Sequence, residues 1–394
     1  MELEFNLRAR TSKIIKGRQF GPILNSLILM ISFIGSTLIV NRWLFTELKL
    51  LSFGRLWPYY VSYLDFGLVR RAFLGTLIDI VNADGLFSNK FVIPYVLHFS
   101  ALCFLYIVFA RRLASVTLDK QTRIMVGIVL FFSPFFLFHF AYSTGTLDIY
   151  VFAWFIGCLL VKTYPKFSFL IISGVLLHEA FIFLLPAIFV YKILNCKNSN
   201  QERFKVIRYF FSSIIVSGLL LAFTYFNKVQ KSKFDLIMSQ KIPTELYLQN
   251  AYLDPSGYFE INSDFGDNVT LGSKAIHFIV NNRLVVPVLS TLLALYLAWL
   301  VSYSWKQITK MQRHILMLSL SVPLLIQVVA GDLFRWVALS ASCSLTFLVF
   351  GLRDSRIKLH LRHLVPLLPL SILGPIGSSD FLDPFPVITF FMMR

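Results

Sequence analysis

The sequence predicts an all-α fold: a polytopic bundle of transmembrane helices, about ten to twelve membrane segments at the length a bilayer requires, forming a single integral membrane domain over residues 1–394. Three observations carry this. Of the 394 residues, 57% are hydrophobic and 14% charged, where soluble domains run at roughly 45–50% and 25%; the mean hydropathy is +0.71. The apolar residues fall in separate blocks of membrane-spanning length. The net charge of +17 is spread in short basic clusters between those blocks, as expected for cytoplasmic loops. A nucleic-acid partner would want one continuous basic patch, so none is expected.

The segments follow in order. A basic stretch, 1–20, precedes an uncleaved first span at 21–40. A long polar and aromatic loop occupies 41–90. Spans are expected at 91–110, 124–140 and 147–161, the second and third joined by a tight turn. The block 167–190 reads best as two short segments, 167–177 and 180–190, meeting at His178-Glu179. A single crossing there would put the basic stretch 191–208 on the wrong side. Such a broken pair is tolerated only where its backbone is buried in protein or lines a wet cavity. A span at 209–226 leads to a second long loop, 227–283. Later spans are expected at 284–303, 314–330, 335–350 and 361–376. With the N-terminus inside, the cytoplasmic stretches hold 23 of the 37 Lys and Arg but five of the 20 acids. The expected topology is therefore multi-pass, with a cytoplasmic N-terminus and both long loops outside.

The candidate chemistry lies on that outer side. Trp57, Tyr59 and Tyr60 open the first loop and suit a bilayer interface; the stretch 64–80 follows at loose helical spacing, as an interfacial helix would. It holds Asp65 and then Arg70-Arg71, and Arg forks match phosphate oxygens bidentately. Asp148 opens the span at 147–161, where a carboxylate also suits a helix N-terminus. His178 and Glu179 sit inside an apolar block, where charge is expensive unless paired or functional. Asp332 and Arg335, with Trp336 beside them, lie between two late spans and are spaced to pair on one helical turn. Each has a purely structural reading; one outward-facing polar cavity explains them together. The four cysteines show no metal-ligand spacing and no DxD motif is present, so no metal or other cofactor is expected.

The long first outer loop with an acid and arginines, the short pair carrying His178-Glu179, and Gly331-Asp332-x-x-Arg335-Trp336 together resemble bacterial surface-polysaccharide proteins. These are the O-antigen and capsule repeat-unit polymerases and related membrane glycosyltransferases of the GT-C type. The resemblance implies a GT-C-like bundle in a bacterial cytoplasmic (inner) membrane and an extracytoplasmic active site. It also implies a polyprenyl-phosphate-linked saccharide as donor and an acid in the first outer loop. Asp65 matches that acid, although it lies 25 residues past residue 40, where the family places its acid close to the end of the first span. By this resemblance Asp65 would be the catalytic base, with Asp148 or Glu179 as alternates. Arg70, Arg71 and Arg335, with His178 and Asp332, would serve the phosphates. Trp57, Tyr59, Tyr60 and Trp336 would stack on sugar rings or border the path of the lipid. Membrane lipids and other polysaccharide-assembly proteins are the further expected partners. The alternative is a transporter or flippase of lipid-linked oligosaccharide, which also needs buried charges and broken helices.

Overall fold

A computed structural model describes residues 24–38, 40, 57–81, 92–116, 118–133, 135–143, 145–196, 200–241, 256–263, 266–267, 270, 285–328 and 333–368. Their regular elements are helices, apart from one isolated bridge between Trp305 and Ile357. Among the described residues, three helices are long and apolar enough to cross a membrane: Ile93–Ala114, Asn200–Phe226 and Arg335–Arg353. Leu24–Leu38, Asp148–Leu160, Tyr164–Leu177 and Val288–Ser304 are apolar but shorter.

The helices that matter for the site are, in chain order, α1 (Phe73–Val81), α2 (Val92–Ala114), α3 (Asp148–Leu160), α4 (Tyr164–Leu177), α5 (Leu185–Asn195), α6 (Asn200–Phe226), α7 (Lys231–Lys241) and α8 (Leu333–Arg353). They build a bundle with two distinct ends. One end is basic. Arg112 at the end of α2 lies 4.3 Å over the Phe350 ring of α8, and Tyr191 of α5 packs on the same ring. Lys192 Nζ donates to the Val161 carbonyl just past α3 (2.6 Å). Arg356, beyond α8, donates to the Leu194 carbonyl of α5. Arg111, Lys162, Lys306 and Arg353 sit at the same termini. Arg335 lies in the first turn of α8 and Arg353 finishes it, so the two arginines are about 27 Å apart along the axis at 1.5 Å per residue.

The stretch 167–190 turns back on itself. Tyr164, which opens α4, stacks on Tyr209 of α6 with ring centroids 5.2 Å apart. Phe189, midway along α5, packs on Phe210 at 4.7 Å. The start of α4 and the middle of α5 therefore reach the same level of α6, and the chain leaves the basic end along one helix and returns along the other. Neither limb, about 21 Å and 16 Å long, matches the roughly 30 Å hydrocarbon thickness. The apex is His178, with extended backbone (φ −162°, ψ 130°), followed by a 3-10 turn, Glu179–Leu184. Leu185-Pro186 then restarts the helix, proline fitting a first turn whose N–H groups have no helical partner. Gly174 permits the fold-back: a Cβ there would stand 2.7 Å from the Phe181 ring.

Other expectations change. The span expected at 124–140 divides into helices Lys120–Phe131 and Leu137–Tyr142, around a Ser-Pro sequence in which proline removes a donor and restricts its predecessor. The span expected at 314–330 is helical over Lys310–Ser321 and continues as a 3-10 segment, Val322–Val328, containing Pro323. For the span at 361–376, the described part is one turn, Leu361–Leu364, with a 3-10 turn after it; its remainder lies outside the described residues.

The first loop is not one flat amphipathic helix. A four-residue helix, Tyr63–Phe66, ends at Gly67 (φ +72°), and α1 begins at Phe73. Both arginines fall in the gap. Trp57, Tyr59 and Tyr60 are buried at 0%, 2% and 5% exposure, so they are core side chains rather than an exposed interfacial belt. Gly75 explains how α1 lies so close to them: a Cβ there would sit 2.0 Å from the Val61 carbonyl oxygen.

Candidate functional site

At the end of the bundle away from the basic rim, the apex of the α4–α5 hairpin meets the first loop. Glu179 Oε1 accepts from Arg70 Nη2 (2.5 Å) and from Arg71 Nη2 (2.7 Å). Arg71 Nε lies 3.2 and 3.3 Å from the two carboxylate oxygens. One acid thus holds two guanidinium groups. Arg71 reaches it from a left-handed backbone conformation, φ +57°, which costs a non-glycine residue roughly 1–2 kcal/mol and marks a conformation imposed by its surroundings.

Arg70 is 3% exposed. Its Nη1 donates to the Ser263 carbonyl (2.9 Å) and to Ser263 Oγ (2.8 Å), and its Cζ stands 4.8 Å from the Tyr225 ring centroid. Burial pulls the Arg70 pKa down, but the Glu179 charge and hydrogen bond outweigh it and hold the group above its ordinary value. The first loop, the hairpin apex, the top of α6 and the second loop all converge on this one side chain. Asn227 strengthens the junction, its Nδ2 donating to the Phe66 and Leu68 carbonyls at 3.2 Å each.

A second ion pair adjoins the first. Asp148, buried at 4% exposure at the start of α3, accepts on Oδ2 from Arg335 Nε at 2.5 Å. His178 lies between the pairs: its Nδ1 accepts from the Ala180 N–H (3.0 Å), and its Nε2, which then carries the neutral ring's proton, stands 3.3 Å from Arg335 Nη2, two donors in contact without a hydrogen bond. Arg335 also lies over Trp336, Cζ to ring centroid 4.9 Å, and Trp336 is itself buried. The whole cluster, Arg70, Arg71, Arg335, Glu179 and Asp148, carries three fixed positive and two negative charges. The pairs therefore leave one positive charge in excess.

Asp65 belongs elsewhere. Its Oδ2 accepts from Ser62 Oγ (2.6 Å) and from Lys241 Nζ at the end of α7. The same ammonium donates to Asp79 Oδ2 (2.5 Å) and to the Tyr60 carbonyl (3.2 Å). Arg70 and Arg71 turn to Glu179, and Asp65 turns to Lys241. Among the described residues, both of Asp65's side-chain bonds fall on Oδ2 and none on Oδ1. Glu179 is fully committed by comparison, since both its oxygens face arginine.

The structure thus joins Arg70, Arg71, Glu179, His178, Arg335 and Asp148, and sets Asp65 with Lys241 and Asp79. Asp332 lies outside the described residues. Trp57 is sealed in the core, whereas Tyr60 lines a cleft beside Lys241. Asp79, Tyr225, Lys241 and Ser263 enter the picture only in three dimensions. Asp79 sat within the helical spacing of 64–80, and the other three carry no local pattern that separates them from ordinary loop or span residues. Comparison of the chain with protein-family models, curated proteins and solved structures gives no match.

Proposed function

We propose that this protein is an integral membrane glycosyltransferase of bacterial surface-polysaccharide assembly, resembling an O-antigen or capsule polymerase and GT-C-like in architecture. It transfers sugar from a polyprenyl-phosphate-linked donor on the extracytoplasmic side. The observation that carries this reading is the buried arginine cluster at the hairpin apex, opposite the basic rim. If the basic rim is cytoplasmic, as the charge rule has it, the cluster lies toward the outer face of the inner membrane.

In the proposed reaction the acceptor hydroxyl attacks the anomeric carbon of the donor sugar. An O–C bond forms as the bond from that carbon to the donor phosphate breaks. The electron pair leaves on the phosphate oxygen, and Arg70, Arg71 and Arg335 offset the charge that grows there. Asp65 Oδ1 takes the acceptor's proton, with Asp148 as the alternate base. Glu179 orients the arginine pair rather than moving a proton, because its oxygens are already engaged. His178 spaces Arg335 from the apex.

Arg70→Lys and Arg71→Lys test the arginines. Each keeps the charge and loses the planar fork. Charge-assisted hydrogen bonds contribute about 1.5–3 kcal/mol, so each variant should lower transfer about 10- to 100-fold. The assay is elongation of a lipid-linked saccharide by purified protein in proteoliposomes. Full rates in both variants would leave no role for bidentate phosphate contact.

A further inference from the structure

The basic end of the bundle carries an aromatic ladder that the proposed reaction does not use. Tyr296, Trp299 and Tyr303 recur at three and four residues along the helix Val285–Ser304, so they share one face. Their rings stack, Tyr296 on Trp299 at 5.7 Å and Trp299 on Tyr303 at 5.3 Å between centroids. One end is anchored, since the Tyr296 hydroxyl donates to the His363 carbonyl (2.9 Å). The other two rings are open, Trp299 at 40% and Tyr303 at 56% exposure. Such amphipathic rings suit the headgroup level of a bilayer.

Cations gather where the ladder ends. Arg313 lies over Tyr303, Cζ to ring centroid 5.7 Å. Among the described residues its guanidinium has neither an ion pair nor a hydrogen bond. Lys310 and Arg313 stand in the first turn of the helix Lys310–Ser321, which holds no acid. That is the positive end of the helix dipole, where cations destabilise. The capping box of Thr309 and Gln312 closes the helix end itself, so an anion there would answer the side chains rather than the backbone. Lys306 and Lys358 follow the bridged residues Trp305 and Ile357. Trp305 and Ile357 are buried, and alternation along an extended pair turns both lysines to the opposite, exposed face. Asp354, the acid of this segment, couples instead to Arg112 and Tyr191. Membrane topology accounts for positive charge at this end. A lysine serves topology as well as an arginine does, however, and neither needs a stacked aromatic platform.

We propose that this turn binds the headgroup of an anionic phospholipid. Its phosphate oxygens meet the Arg313 fork, Lys306, Lys310 and Lys358 supply the surrounding charge, and its glycerol and upper acyl region lies on Trp299 and Tyr303. A free phosphate offers the same oxygens but nothing for the exposed rings, so lipid is the source. The site lies at the opposite end of the bundle from the arginine–carboxylate cluster and is independent of sugar transfer.

The test is native mass spectrometry of the full-length protein in detergent, titrated with phosphatidylglycerol, phosphatidylcholine and inorganic phosphate. Phosphatidylglycerol should bind about 5-fold or more tighter than phosphatidylcholine, and millimolar phosphate should not displace it. Arg313→Lys keeps the charge and loses the fork, so phosphatidylglycerol affinity should fall roughly 3- to 10-fold. Tyr303→Leu keeps every cation and removes an exposed ring, so the fold should be unaffected while affinity falls about 2- to 5-fold. Equal affinity for the two lipids, or undiminished phosphatidylglycerol affinity in both variants, overturns the site and leaves only the general charge of the rim. Displacement of phosphatidylglycerol by millimolar phosphate overturns a lipid as its occupant.

Discussion

Glu179 shows at the residue scale why charge inside an apolar block is informative. The sequence exposes the expense of a carboxylate at that depth but not its creditors: Arg70 and Arg71 lie 109 and 108 residues away. Removing its charge strands two guanidinium groups, one of them 3% exposed. Glu179→Gln should therefore destabilise the protein by about 3 kcal/mol, the scale for breaking a buried pair, lowering its unfolding midpoint in detergent. An unchanged midpoint would mean the arginines are stabilised by other partners. Asp65 is the contrasting case. Its spacing to Arg70 and Arg71 suggests an internal pair, yet its ammonium comes from Lys241, 176 residues on. Nothing local in Lys231–Lys241 announces that. Trp57 likewise reads equally well as interface or core, since a large amphipathic ring suits both.

Hydropathy and charge together make the hairpin of α4 and α5 legible at the scale of elements, because a 24-residue apolar block flanked by two basic loops cannot satisfy the charge rule as one crossing. The closing contact was not legible: Gly174 against Phe181 is a matter of which side chain meets which glycine. Gly174→Ala would press a methyl group into a ring that is fully buried. The expected cost is about 1–3 kcal/mol, as for overpacking elsewhere, with a matching loss of transfer because the apex carries His178 and Glu179. Wild-type stability of that variant would show that the hairpin closes less tightly. Hydropathy failed where proline intervened. The windows at 124–140 and 314–330 are apolar enough to read as spans, but each contains a proline, Pro134 and Pro323, a residue without the N–H that a continuous helix needs.

The whole molecule is organised by charge: a basic rim at one end of the bundle and an arginine–carboxylate cluster some 27 Å away along α8 at helical rise. The basic clusters in the sequence made that polarity legible; the gathering of distant loops over the cluster was not, because tertiary contacts such as Arg70 to Ser263 leave no trace in spacing. Reporter fusions at Asn198 and Asp354 should signal cytoplasm, and fusions at Asp84 and Ser256 should signal the outside. An external signal at Asn198 would contradict the fold-back. The central claim is transfer rather than transport, and Asp65→Asn tests it most directly. The substitution is nearly isosteric but removes the negative charge and the proton acceptor, so transfer should fall about 100-fold or more, the usual scale of general base catalysis. The decisive measurement is the leaflet in which lipid-linked saccharide accumulates in cells carrying Asp65→Asn at wild-type protein level. Accumulation on the outer leaflet is the predicted result, because delivery is intact and transfer is blocked; accumulation on the cytoplasmic leaflet would contradict the account and identify a transporter.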